Sequence, residues 1–190
     1  MSGRSYKARL DDLLTPLGFT QEGQDWSRVR DGMRETVNLQ VSNIAGSTIN
    51  LLLVDLESAR LAHEITSASG EFYMERNERV GHLIDGYDHW WRRDPNGPAE
   101  LTEAVRVYGL PFFDQARSLE DQAERWFGRR SKPRWHERSM IALAITLYRM
   151  GEYDEALAAL DIPPPKSATP AWIARVDLVR AWLTSHPIAK

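Results

Sequence analysis

The hydrophobic pattern of this chain of 190 residues changes from a strand period to a helix period at one break, and this change limits the possible folds. Between Trp26 and Leu56, apolar residues recur at every second position or form short runs, as they do in β-strands. After the break at residues 94–98 (Asp-Pro-Asn-Gly-Pro), they recur every three or four positions, as they do in helices. Strands followed by a run of helices are typical of α+β proteins. We therefore predict an α+β fold with an N-terminal helix, an antiparallel meander of about four strands and an all-helical C-terminal part.

The segments before the break predict one helix and the strands of the meander. One helix face carries four leucines at i, i+3, i+4 and i+7, namely Leu10, Leu13, Leu14 and Leu17. Asp31-Gly32 lies between two strand-like runs and is typical of a tight hairpin turn. The apolar run within Thr48–Leu56 predicts a central strand that is covered on both faces. We interpret Ser58–Asn77 as an irregular connection with one helical turn and Arg79–Ile84 as a candidate fourth strand.

The segments after the break predict helices up to the end of the chain. Residues 135–150 and 153–160 form an αα-hairpin around Gly151, and Thr169-Pro170 is a typical helix start. We place an α+β domain at residues 1–128. Residues 129–190 then form a helical tail, which we expect to pack on the first domain.

Five short motifs occur in a specific order in the first domain. They are Pro16-Leu17-Gly18-Phe19 with Trp26, Val37-Asn38-Leu39-Gln40, Arg79-Val80-Gly81-His82-Leu83, Trp90-Trp91 and Tyr108-Gly109-Leu110-Pro111-Phe112-Phe113. In this order and spacing they resemble a bacterial family known as domain of unknown function, number 4304, over Tyr6–Phe127. The resemblance supports the fold, and it implies no catalytic residue because the family has no established activity.

The tail carries a second resemblance. Residues 147–157 (Leu-Tyr-Arg-Met-Gly-Glu-Tyr-Asp-Glu-Ala-Leu) resemble the middle of a tetratricopeptide repeat. In that pattern Gly151 makes the turn, and the small side chain of Ala156 lets two helices approach closely. A solenoid needs about three or more repeats to be stable. With one repeat in view, we expect the hairpin to pack on the preceding domain.

Composition excludes several classes of function. The chain has no cysteine, which excludes disulfides, thiolate zinc sites and a cysteine nucleophile. We expect no signal peptide, because no apolar run follows the basic residues of the first ten positions, and without a run of about 18 apolar residues we expect a cytosolic protein without a membrane span. A net charge of −3 makes nucleic acid an improbable partner, although a basic segment lies at Arg129–Arg138. Without a Gly-rich phosphate loop or a dinucleotide-binding fingerprint, we predict no cofactor.

The candidate binding residues are three amides and two indoles. Asn38, Gln40 and Asn50 alternate with apolar residues on adjacent predicted strands, so they line one face of the sheet. There they can hydrogen-bond a ligand or a partner, or they can be the wet side of a half-covered sheet. Trp90 and Trp91 point to opposite sides if the backbone is extended, and an exposed indole is a good interface anchor.

A group of possible metal ligands occurs close together in the sequence. Imidazole and carboxylate side chains can bind zinc or manganese, and the group comprises His82, Asp85, Asp88 and His89. Their spacing fits no standard motif, and a turn explains the polar residues equally well. We predict no metal site and no catalytic residue.

Taken together, these patterns favour a non-catalytic protein-binding module of a partner-binding or immunity type. The alternative is a small-ligand-binding protein or a hydrolase-like enzyme with a pocket between the sheet and the helices. A deep pocket lined by the amides would favour the alternative.

Overall fold

The structure is a computed structural model that describes residues 5–92, 94–115, 117–126 and 137–187. The predicted domain boundary near residue 128, the start of the predicted hairpin at Trp135 and most of the basic segment Arg129–Arg138 lie outside these residues. The chain forms two compact units. Unit 1 lies within Met1–Val54 and Arg76–Gln115, and unit 2 within Asp55–Glu75 and Ala116–Lys190.

A five-stranded antiparallel sheet is the centre of unit 1, so the predicted α+β class is confirmed, with one more strand than expected. The strands are β1 (Thr20–Glu22), β2 (Asp25–Arg30), β3 (Met33–Ser42), β4 (Gly46–Asp55) and β5 (Glu75–Arg79), and they lie in sequence order. Trp26 pairs with Gln21 on β1 and with Val37 on β3. As predicted, β4 is an inner strand, since β3 and β5 flank it.

The Asp31-Gly32 hairpin is confirmed. Arg30 pairs with Met33 across the turn, which leaves a two-residue loop. Asp31 has φ 51° and Gly32 has φ 74°, which are the two positive values that a type I′ turn requires. The predicted turn chemistry therefore sets the register between β2 and β3.

The described part of unit 1 contains four α-helices besides the sheet. They are α1 (Tyr6–Leu14), α4 (Val80–Asp85), α5 (Gly97–Ala104) and α6 (Leu110–Asp114). The core includes Leu10, Trp26, Val37, Leu51 and Phe113, all with no exposed surface. The predicted N-terminal helix is confirmed, and its Asp11 accepts a hydrogen bond of 2.6 Å from the indole Nε1 of Trp26. This bond satisfies the one polar atom of the largest core side chain.

A π-helix at Val105–Gly109 joins α5 to α6. Leu110 N donates to Val105 O, five residues back, instead of four as in an α-helix. Pro111 follows at once, and a proline ring clashes with the carbonyl four residues before it in an α-helix. The wider turn gives this proline room. It also places Gly109 next to the Leu51 side chain of β4.

Two predicted elements are wrong. Ser58–Asn77 is not irregular, because it contains α2 (Leu56–Thr66), α3 (Gly70–Met74) and the start of β5. Arg79–Ile84 is not a strand, because β5 ends at Arg79 and α4 follows directly. The helix α4 ends at Gly86, which has φ 84° and a backbone N–H bonded to His82 O. That cap ends the helix after six residues.

Unit 2 is helical. Besides α2 and α3 it contains α7 (Leu119–Asp121), a π-helix (Gln122–Trp126), α8 (Glu137–Arg149), α9 (Tyr153–Ala158) and α10 (Pro170–Ser185). The helices α8 and α9 form the predicted hairpin, with Gly151 at φ 84° in the turn and Ala156 fully buried. Thr169 caps α10 by accepting a hydrogen bond of 3.3 Å from Trp172 N. The likeness of this hairpin to a tetratricopeptide repeat stays a prediction.

A buried polar cluster joins distant parts of unit 2. Asp55 caps α2 by accepting a hydrogen bond from Ser58 N at 2.9 Å. Arg149, at the end of α8, donates to Asp55 Oδ1 at 2.7 Å and to Ser58 Oγ at 2.6 Å. Gln122 Nε2 lies 3.4 Å from Asp55 Oδ2. The cluster therefore ties α2 to two segments that come much later in the chain.

Among the described residues, the structure contains no helix with the length and apolar character to cross a membrane.

Candidate functional site

The polar face of the sheet brings three predicted site residues together. On β3, Val37 and Leu39 are buried while Asn38 and Gln40, on the opposite face, are half-buried. On β4, Leu51 is buried and Asn50 is half-buried. This alternation follows from the two-residue period of a strand. The three amides therefore lie side by side on the face opposite the core.

Direct hydrogen bonds connect these amides across three strands. Asn50 Nδ2 donates to Asn38 Oδ1 at 2.9 Å and to Gln40 Oε1 at 3.2 Å. Asn38 Nδ2 donates to Asp25 Oδ1 on β2 at 2.6 Å. Each amide is thus held in one orientation by its neighbours, which reduces the rotamer freedom of the side chains.

The connection continues through β5 to a tryptophan. Arg79 Nη2 donates to Gln40 Oε1 at 3.2 Å, and Arg79 forms an ion pair with Asp88. Asp88 Oδ2 also accepts a hydrogen bond of 3.1 Å from Trp90 Nε1. The guanidinium carbon of Arg79 lies 5.4 Å from the centroid of the Trp90 ring, within the range of a cation–π contact. We call this connected set the polar ladder: Asp25, Asn38, Asn50, Gln40, Arg79, Asp88 and Trp90.

Trp91, the other predicted indole, has a different position. Its backbone forms an isolated bridge with Ser47 at the start of β4, with N–O distances of 2.8 and 2.9 Å. The hydroxyl of Tyr6 on α1 donates to Trp91 O at 3.0 Å. Trp91 is half-buried, as Trp90 is, but only Trp90 is connected to the amides. The backbone of Trp91 therefore fixes a segment of chain against β4, and its indole is not part of the ladder.

The four candidate metal ligands are divided between separate pairs. His82 Nδ1 lies 2.9 Å from Glu78 Oε1, His89 Nε2 lies 2.8 Å from Asp85 Oδ1, and Asp88 pairs with Arg79. Within residues 5–92, 94–115, 117–126 and 137–187, no three histidine or carboxylate side chains are grouped so that they could hold a metal ion. Instead, the His82–Glu78 pair links α4 to β5, and the Asp85–His89 pair links the end of α4 to the segment that follows it.

Comparison with known proteins gives one family. A family model described as "Domain of unknown function (DUF4304)" matches residues 10–115, which is more than half of the chain. The chain belongs to the DUF4304 family. No curated protein and no solved structure matches it.

The DUF4304 region contains the complete polar ladder. Residues 10–115 run from α1 to just past α6, and they include the inserted helices α2 and α3 of unit 2. The helices α8, α9 and α10 follow the matched region. Every residue of the candidate site therefore belongs to the part of the chain that defines the family.

Electrostatic interactions keep the ladder carboxylate Asp88 ionised. Its hydrogen bond with Arg79 lowers the pKa of Asp88, and the hydrogen bond from Trp90 acts in the same direction, against an opposing effect of burial. The hydrogen bond with His89 likewise lowers the pKa of Asp85. A carboxylate with a lowered pKa carries no proton to donate at neutral pH. Asp88 and Asp85 are therefore suited to accept hydrogen bonds and to attract cations.

Sequence analysis missed Asp25 and Arg79, and it named Asp88 only as a possible metal ligand. Asp25 precedes Trp26 by one position, so a strand assignment for Trp26 already places Asp25 on the opposite face. Arg79 could be found only with the correct end of β5, and Asp88 lies outside any strand. The two-residue period of the strands is the one sequence signal for such residues, and it applies only to residues inside a strand.

Two cavities are lined by residues of unit 2. The first has a volume of about 420 Å³ and is lined by Leu56, Ala59, Arg60, His63, Ser69 and Gly70. The second has a volume of about 160 Å³ and lies between residues 160–164 and α10. Neither cavity is lined by Asn38, Gln40 or Asn50.

Proposed function

We propose that this DUF4304 protein is a non-catalytic protein-binding module, of a partner-binding or immunity type, and that the polar ladder is its contact surface. One observation carries the proposal: seven half-exposed side chains on five neighbouring segments form one connected series of hydrogen bonds that ends at an indole. Such a surface suits a partner that recognises a pattern of polar groups.

The internal bonds of the ladder support this function on energetic grounds. Binding costs free energy for each flexible side chain that becomes fixed, about 0.5–1.5 kcal/mol per side chain. The amides of Asn38 and Asn50 already hold each other, and Gln40 is held by Asn50 and Arg79. A partner therefore meets donors and acceptors that are already oriented, and less of the contact energy is lost to ordering.

Trp90 supports the same function as an anchor. Tryptophan and arginine dominate the binding energy of protein interfaces, where a few residues carry most of the affinity. The Trp90 ring is half-buried, and both Asp88 and Arg79 hold it in place. A ring fixed in this way can be covered by a partner without rearrangement.

The test is affinity capture from a lysate of the native cells with the tagged full chain, followed by identification of retained proteins and measurement of Kd with the purified partner. We expect one stoichiometric partner, and we expect Trp90→Ala and Arg79→Ala each to weaken its binding at least about tenfold. Trp90→Phe, which keeps a ring, should retain more affinity than Trp90→Ala.

The matched control is Arg106→Ala. Arg106 also forms an ion pair, with Glu103, but it lies on the exposed side of the π-helix at Val105–Gly109. This variant should bind as the wild type does. The proposal is wrong if no protein is retained, or if folded Arg79→Ala and Trp90→Ala proteins bind the partner as tightly as Arg106→Ala does.

A further inference from the structure

We infer that the polar ladder receives a cationic protein segment, in which lysine or arginine side chains reach the carboxylates around Trp90. This inference rests on the proposed function and specifies the chemistry of the partner. Its basis is the balance of charges and of free hydrogen-bonding atoms on this face of unit 1.

Carboxylates outnumber cations on and beside the ladder. Asp25 and Asp88 belong to the ladder, Glu78 precedes the ladder residue Arg79 on β5, and Asp85 is the last residue of α4. The side chains of Asp85, Asp88 and Glu78 are 47%, 40% and 26% exposed. Arg79 is the one cation of the ladder. The surface is therefore negative where a partner would meet it.

Each of these carboxylates also has one oxygen that forms no hydrogen bond with a described residue. Asp88 Oδ2 holds both Arg79 and Trp90, while Asp88 Oδ1 bonds no described residue. The same holds for Asp25 Oδ2, Asp85 Oδ2 and Glu78 Oε2, because each of these residues uses only its other oxygen. Two amide atoms of the ladder also form no hydrogen bond with a described residue: the donor Gln40 Nε2 and the acceptor Asn50 Oδ1. A partner must therefore supply donors, and ammonium and guanidinium groups carry the most donors of any side chains.

The Trp90 ring shows how such a cation can be held. Within the chain, Arg79 already contacts this ring at 5.4 Å while it pairs with Asp88. An indole attracts cations to either face, and a nearby carboxylate adds a charge-assisted hydrogen bond. A lysine or arginine of the partner can bind Asp88 Oδ1 beside the indole without displacing Arg79 from Asp88 Oδ2. The ladder thus offers a second cation the same pair of groups that hold the first.

The test uses two synthetic octapeptides with the full chain, one alternating lysine with threonine and the other alternating glutamate with threonine. Binding is followed by NMR through the indole Nε1–H signal of Trp90, assigned with Trp90→Phe, and through the amide signals of Asn38 and Asn50. We expect the lysine peptide to shift these signals, with a Kd that rises at least about threefold when the ionic strength rises from roughly 50 to 500 mM. The glutamate peptide should leave the signals in place.

Matched charge variants complete the test. Asp88→Asn should weaken lysine-peptide binding at least about threefold, while Glu103→Gln, which removes one exposed negative charge elsewhere in unit 1, should leave it unchanged. The inference is wrong if the two peptides bind equally well or if Asp88→Asn leaves the affinity for the lysine peptide unchanged. It is also wrong if the lysine peptide does not shift the Trp90 signal. If the native partner still requires Arg79 and Trp90 but tolerates Asp88→Asn and high salt, the protein-binding function stands and the cationic partner does not.

Discussion

At the scale of single residues, two glycines of the sheet have a positive φ for different reasons. Gly32 has φ 74° in the β2–β3 turn, and a Cβ there would meet nothing within 4 Å. Gly46 has φ 110° at the start of β4, and a Cβ there would lie 2.2 Å from Trp91 O. The first glycine serves the turn alone, whereas the second also lets the Trp91 segment approach β4.

This difference predicts unequal effects of the same substitution. Gly32→Ala should lower the free energy of unfolding by about 1 kcal/mol, because only the left-handed backbone opposes it. Gly46→Ala should cost roughly 3 kcal/mol, because strain and a backbone clash add. Urea denaturation of both variants measures the two values. An equal cost for both would show that the Trp91 segment does not need this close approach.

The residue scale also shows how far sequence could predict the candidate site. Asn38, Gln40 and Asn50 share a face because strands alternate, and that face can be derived from sequence once the strands are assigned. Their bonds to one another depend on the register between β3 and β4, and sequence patterns determine register only at tight turns such as Asp31-Gly32. Arg79 joins the ladder from a strand whose partner β4 ends 20 residues earlier in the chain, so no local pattern could place it.

At the scale of elements, the secondary-structure predictions failed for α2 and β5, where the residues are small or charged instead of large and apolar. The buried face of α2 consists of Ser58, Ala59, Ala62 and Thr66, which gives a weak hydrophobic period. Small residues are required there, because α3 begins so close that a Cβ on Gly70 would lie 1.7 Å from Ala59 O. In β5, the run Glu-Arg-Asn-Glu-Arg looks like solvated surface. Charged residues are nevertheless usual on a strand at the edge of a sheet, where they discourage pairing with other chains.

The helical hairpin of unit 2 gives a prediction at the same scale. Ala156 on α9 is fully buried, and Ala158, two residues later on the same helix, is exposed. Ala156→Leu should therefore lower the free energy of unfolding by about 1–3 kcal/mol through overpacking. Ala158→Leu should change it by less than about 0.5 kcal/mol, since helix propensity is similar and the side chain meets solvent.

Urea denaturation again supplies the measurement, with circular dichroism at 222 nm as the signal for the helical unit. If the Ala156→Leu variant is as stable as the Ala158→Leu variant, α8 and α9 do not need a small side chain at position 156 to approach each other.

At the scale of the whole molecule, the two units interrupt each other along the chain. The strand β4 belongs to unit 1 up to Val54, the chain then forms α2 and α3 of unit 2, and it returns to unit 1 in β5. Asp55 stands at the first of these crossings and binds Arg149, 94 residues later. Unit 2 therefore depends on contacts between the middle and the last part of the sequence.

A double-mutant cycle measures this dependence. The side chains of Asp55 and Arg149 are only 10% and 24% exposed. We expect Asp55→Ala, Arg149→Ala and the double variant to give a coupling energy of about 1–2 kcal/mol. The control cycle uses Arg60 and Glu64, an exposed pair on α2, which should couple much less than the buried pair because solvent screens exposed charges. Equal coupling in the two cycles would mean that the buried cluster is not a stabilising contact of unit 2.

The crossing at Asp55 also has a consequence for the protein during its synthesis. At translation rates of about 5–20 residues per second, the 94 residues between Asp55 and Arg149 take on the order of 5–20 s to add. The ladder residues of β2, β3 and β4 leave the ribosome well before α8, the helix against which α2 packs. For these seconds the nascent chain contains the strands β2, β3 and β4 and the helix α2 but not α8, so α2 has to wait for its packing partner, and a chaperone or a premature stop would act at this stage.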